Sequence, residues 1–131
     1  MEKTLILIKP NAVRNQNIGE IISILEKSNF TITNIKLFTF DSSLAQTFYQ
    51  EHAQKEFFPR LITFICSGET IALELKRENA IKTLRNLVGD ANPKKRESGT
   101  IRDYFADSVT ENAVHASDSP ESAIRELSLI F

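Results

Sequence analysis

Apolar residues follow two rhythms along this chain, short runs or alternations and three-or-four spacing. Thr4 to Ile8 is a continuous, β-branched-rich run closed by Lys9-Pro10. It is too short for a helix, and the missing alternation predicts a strand covered on both faces. Ile18, Ile21, Ile22 and Leu25 then recur at helical spacing, with Glu20, Glu26 and Lys27 opposite them. That predicts an amphipathic helix stopping at Asn29. Thr31 to Phe40 returns to strand composition. Ile32 lies on the opposite parity from Ile35, so a bulge near Asn34 is expected.

Asp41-Ser42-Ser43 supplies capping side chains for a helix from Leu44 to about Glu51. Pro59 opens a second short helix reaching Ser67, with Gly68 at its C-terminal end. Thr70 to Lys76 alternates, with Ile71, Leu73 and Leu75 against Glu74 and Lys76, as a half-buried strand does. Ala80, Ile81, Leu84, Leu87 and Val88 form a further helix that Gly89 stops. Residues 89–100 read as a long irregular loop, a kind that is often functional. Ser119-Pro120-Glu121 starts the last helix, whose apolar stripe is Ala123, Ile124 and Leu127. The order β-α-β-(α-α)-β-α-loop-β-α predicts an α+β fold. It is a ferredoxin-like βαββαβ sandwich, an antiparallel four-stranded sheet with an inserted helical hairpin. No repeat or linker divides it, so residues 1–131 are expected to form one domain.

Composition narrows the function. With 41% hydrophobic and 25% charged residues the chain has the means to fold rather than stay disordered. Sixteen Lys+Arg against seventeen Asp+Glu leave a net charge of -1, which argues against bulk binding to nucleic acid or an anionic membrane. One cysteine, Cys66, rules out an internal disulfide and a cysteine-based zinc site. It lies in an apolar stretch and is expected to be a small buried hydrophobe. No segment has the length of a membrane helix or the build of a leader, and a cytoplasmic protein is expected.

Four features carry candidate chemistry. His115 precedes a well-capped helix start, where free N–H groups favour anions, and imidazole can serve as acid, base or nucleophile near neutrality. Lys9 follows the first buried strand and can reach into a site beside the sheet. Arg85 and Arg102 can hold phosphate oxygens bidentately. Tyr49, Phe57, Phe58 and Leu61 lie in the helical hairpin, where an aromatic can stack on a planar base. Each has a plainer reading when taken singly: a surface histidine, a solvated lysine, a charged face, a core aromatic. His52 reads as a polar residue at a helix end. There is no G-x-x-x-x-G-K-[ST] loop, so a nucleotide must be held by side chains and helix ends.

Taken in order, I-K-P at residues 8–10, F-F at 57–58, S-G at 67–68, N-P at 92–93, G-T-I-R at 99–102 and N-x-x-H-x-S-D-S at 112–119 resemble the nucleoside diphosphate kinase family. The likeness runs nearly the whole chain. It implies a ping-pong phosphoryl transfer in which His115 takes the γ-phosphate of a nucleoside triphosphate and passes it to a different nucleoside diphosphate. The same resemblance implies that Glu126 orients the His115 ring, with Ser117 beside it. Lys9 and Asn112 would bind the sugar 3′-hydroxyl, and Lys9 and Tyr49 would lie near the transferred phosphate. Arg85 and Arg102 would neutralise the phosphates with Mg²⁺ bridging them. Phe57 and Val109 would sandwich the base, with Leu61 nearby. A homo-oligomer, hexameric or tetrameric, is implied as well.

The chain departs from the family pattern at Asn11, where Asp is usual, and at Ala91, where a Thr usually bonds a phosphate. Ala116 replaces the usual Gly after the histidine, which adds strain if φ there is positive. Lys55-Glu56 stands before F-F in place of R-P. Asn11 and Ala91 motivate an alternative, a nucleotide-binding regulatory module on the same fold with weak turnover.

Overall fold

The computed structural model describes all residues, 1–131. Four strands form one sheet: β1 (Glu2–Ile8), β2 (Thr31–Thr39), β3 (Glu69–Arg77) and β4 (Val114–Ala116). Their order is β2-β3-β1-β4, and every neighbouring pair is antiparallel. The helices are α1 (Pro10–Arg14), α2 (Ile18–Lys27), α3 (Ser42–Phe48), α4 (Phe58–Ile65), α5 (Ala80–Val88), α6 (Ile101–Phe105) and α7 (Pro120–Ile130). This is the α+β sandwich expected from the sequence.

Strand alternation sorts the core into two layers. Ile6 and Ile8 of β1 and Ile71, Leu73 and Leu75 of β3 face one way, onto Ile21 and Leu25 of α2 and Leu84 and Val88 of α5. Leu5, Leu7 and Ala72 face the other way, onto Phe48 of α3, Leu61 and Ile65 of α4 and Ile130 of α7. β3 is therefore buried on both faces over much of its length, more than its alternation predicted. It is an interior strand, and Ala72 and Thr70 lie under the second helical layer.

Other boundaries moved for local reasons. Pro10 ends β1 but also opens α1, because proline is preorganised for the first helical position. The helix read as Leu44 to Glu51 stops at Phe48, and residues Gln50–His52 form a separate 3₁₀ turn. Arg125 of α7 fixes that break by donating to the Thr47 and Phe48 carbonyls. Asn29 ends α2 with φ 65°, and the register shift between Ile32 and Asn34 supplies the expected bulge. Cys66 is half-buried at the end of α4 rather than part of the core.

Candidate active site

β4 is only three residues long, yet it places the histidine. Pairing with β1 puts His115 opposite Leu7, on the face that carries the second helical layer. There the ring meets the edges of Phe48 and Tyr49, with centroids 5.1 and 5.7 Å away. α7 packs against β1 and brings Glu126 beside it, eleven residues on in sequence. His115 Nε2 lies 2.7 Å from Glu126 Oε1, and Ser117 Oγ donates to the same oxygen at 2.7 Å. Glu126 and Ser117 are both buried. An ionised carboxylate only accepts, so Nε2 carries the proton and Nδ1 keeps its lone pair. Nδ1 makes no hydrogen bond within the chain.

The cations come from three separate elements. Lys9, at the end of β1, is 4% exposed and donates to Asn112 Oδ1 at 2.9 Å. Asn112 in turn donates to the Val109 carbonyl at 2.9 Å. Burial, reinforced by the neighbouring Arg102 charge, pushes the Lys9 ammonium down to about 7. Arg102, on α6, donates to the Gly89 and Val114 carbonyls, both at 2.9 Å. Burial and then the charges of Arg85 and Arg96 bring it down to about 10. Arg85, on α5, reaches the Ala116 carbonyl at 3.2 Å. The Tyr49 hydroxyl and Arg102 Nε are buried with no partner in the chain. Burial and the nearby Glu126 carboxylate hold the Tyr49 hydroxyl well above the ordinary phenol range. Depressed cations together with orphaned donors are the signature of a site that expects an anion.

Backbone geometry holds these groups in place. Gly89 has φ 86°, and a Cβ there would lie 2.4 Å from Thr100 Oγ1, so glycine is required for the loop to close on α6. Ala113 has φ 78°, and the Val114 amide donates to the Asn112 carbonyl across it at 3.0 Å. That is a γ-turn, a strained conformation for a residue with a side chain. The Lys9 amide donates to the Ala113 carbonyl at 2.8 Å and ties the turn to the end of β1. Ala116, by contrast, has negative φ, so replacing glycine there adds no strain. Asn11 is buried and donates to Asp107 Oδ2 and the Glu111 carbonyl, both at 2.9 Å. An amide donor on α1 thus meets an acid on the loop after α6.

These elements enclose a cavity of about 410 Å³. Lys9, Tyr49, Phe57, Leu61, Arg85, Ala91, Arg102, Val109, Asn112 and His115 all line it. Ser117 and Glu126 lie behind the histidine and do not. The sequence reading assigned no role to Glu51, Arg60, Thr110 and Asp118, which line the same cavity; of these only Asp118 stands in a motif of fixed spacing, the N-x-x-H-x-S-D-S at 112–119. It also took His52 for a polar residue at a helix end. The ring does lie there, but it faces the cavity too, 5.5 Å from Phe57 and with Nδ1 2.9 Å from Lys55 Nζ. Burial, then the Lys55 charge, pushes the His52 ring below the ordinary imidazole range.

A family model described as nucleoside diphosphate kinase matches residues 2–131. A nucleoside diphosphate kinase of Methanocaldococcus jannaschii is 44% identical over 130 residues, covering 99% of this chain and 93% of the relative. One of Halalkalibacterium halodurans is 45% identical over 131 residues, covering 100% of this chain and 89% of the relative. Among solved structures, the Aquifex aeolicus nucleoside diphosphate kinase superimposes with a TM-score of 0.95 at 38% identity, over 99% of this chain and 94% of that one. The Encephalitozoon cuniculi enzyme gives 0.97 at 30% identity, over 100% and 89%.

Proposed function

The chain belongs to the nucleoside diphosphate kinase family and has that family's activity, exchange of a terminal phosphoryl group between nucleoside triphosphates and diphosphates. On that premise we propose that the exchange runs through His115. Nδ1 attacks the γ-phosphorus in line, a P–N bond forms, and the bond to the β–γ bridging oxygen breaks as the diphosphate leaves. A second diphosphate then attacks the phosphohistidine by the reverse path. The observation that carries this reading is the Nε2–Glu126 contact, which leaves Nδ1 unprotonated and facing a cationic cavity. Phosphoryl transfer asks the protein mainly for positioning and charge stabilisation. Lys9, Arg85 and Arg102 supply the charge. Lys9 and Asn112, hydrogen-bonded to each other in the chain, hold the sugar 3′-hydroxyl in this reading.

Phe57 and Val109 clamp the base, with Leu61 beside them and Ala91 as a plain wall near the phosphates. The substrate enters as its Mg²⁺ complex. In this reading the nucleotide phosphates carry the ion, and Lys9, Arg85 and Arg102 share the remaining phosphate charge. The reading covers residues 1–131 as one catalytic domain, working in the cytoplasm as a homo-oligomer, hexameric or tetrameric. No helix is long and apolar enough to cross a membrane.

Incubation with γ-labelled ATP is expected to leave an acid-labile, base-stable label on the protein. His115→Ala is expected to remove it. Label that survives in His115→Ala would place the nucleophile elsewhere.

A further inference from the structure

Three arginines line the cavity, and two of them are already engaged. Arg85 and Arg102 donate to backbone carbonyls. Arg60 is exposed and makes no hydrogen bond or ion pair with the rest of the chain. It stands in the first turn of α4, three residues past Phe57 and next to Leu61. That spacing sets Arg60 and Phe57 on neighbouring positions of the helix surface. Arg60 and Thr110 also line the adjoining groove, so Arg60 stands on the rim shared by the two depressions.

An apolar clamp reads the faces of a base and leaves its edges unread. A guanidinium carries donors only, in a planar fork. It therefore matches an edge that shows two adjacent acceptors. Guanine offers O6 and N7. On that same edge, the one a duplex turns to its major groove, adenine offers N7 beside the N6 amino donor, cytosine an amino donor and uracil the single acceptor O4; the adjacent acceptors of cytosine, O2 and N3, lie on its other edge. We propose that Arg60 reads the O6/N7 edge of guanine and makes guanine nucleotides the preferred substrates of this chain. The inference rests on the placement of the base between Phe57 and Val109.

The test is single-turnover transfer from the ³²P-phosphorylated protein to a series of diphosphates. GDP is expected to react with a second-order rate constant at least about fivefold above ADP, the low end of what a bidentate edge contact yields. IDP, which keeps O6 and N7 but lacks the 2-amino group, is expected to match GDP. 7-Deaza-GDP is expected to fall toward ADP. Arg60→Ala is expected to level GDP and ADP. Arg60→Gln, whose amide pairs with adenine N6 and N7, is expected to move the ratio toward ADP. Equal rates for GDP and ADP in the unaltered protein, or a GDP preference that Arg60→Ala leaves intact, would overturn this inference alone. IDP falling to the ADP rate would overturn it by moving recognition to the 2-amino group. Failure to transfer to any diphosphate would overturn the site reading and this inference with it.

Discussion

Glu126 accepts two hydrogen bonds on one buried oxygen, from the His115 ring and from Ser117. In the proposed reaction its charge does more than orient the ring, because positive charge builds on the imidazole as the P–N bond forms. Glu126→Gln keeps an acceptor but removes that charge. It is expected to retain the phosphohistidine label while slowing its formation about 10–100-fold, the scale seen when the carboxylate that orients a metal-bound histidine is disturbed. Rapid quench with labelled ATP checks this. Lys9 makes a second prediction at this scale. The unfolded chain keeps a lysine protonated to about 10, whereas in the folded site the ammonium is lost near 7. Between those values the unfolded state binds more protons, so this group's contribution to stability rises with pH across the window. A bound diphosphate favours the ammonium and pulls the proton back. Calorimetry at pH 8 in buffers of different ionisation enthalpy is therefore expected to show uptake of up to about one proton on binding. Lys9→Met is expected to abolish the uptake.

Between α1 and the loop after α6 lies a latch whose donors are all on the helix or on Asn15, the residue that caps its C-terminal end. Asn11 and Asn15 both donate to Asp107 Oδ2, and Arg14 pairs with Glu111 at 3.2 Å. The latched segment carries Val109 and Asn112, one wall of the proposed base clamp and the partner of Lys9. Asp107→Ala is expected to cost about 1–2 kcal/mol in urea denaturation, two hydrogen bonds at the usual net value. It is also expected to raise KM for nucleotide severalfold while the label still forms at saturating ATP. The elements that build this latch were the least legible in the sequence. α1 and α6 are five residues each and β4 is three, too short for any hydrophobic period to register. The longer elements, α2, α5 and β2 with its bulge, followed their apolar spacing closely. The site divides the same way. Lys9, Arg102 and His115 stood in an ordered series of motifs, whereas Arg60 and Thr110 belong to none and reach the cavity through the packing of helix and loop. The Glu126 contact was expected from resemblance, and packing of α7 on β1 supplies its physical cause.

At the scale of the whole molecule, the sheet ends in an open edge. β2 pairs with β3 on one side only, and its other side is unpaired. Ile35 and Leu37 point to the same face of that edge strand, and each is 58% exposed. A bare edge strand bearing neighbouring apolar side chains is a liability for a monomer, because it offers backbone groups and apolar surface to another chain. No Lys or Pro blunts those two positions, and the single intervening charge, Lys36, is engaged with the Ile130 carbonyl at 2.9 Å. A two-fold contact that uses the same patch on both copies satisfies edge and side chains together. The proposed oligomer is therefore expected to include β2. Ile35→Lys with Leu37→Lys places like charges opposite one another across such a contact. Sedimentation velocity is expected to show the unaltered chain as an oligomer and the double variant shifted to smaller species. The labelling reaction separates assembly from chemistry. His115, Glu126 and the cations all come from one copy of the chain, so the double variant is expected to keep its phosphohistidine label.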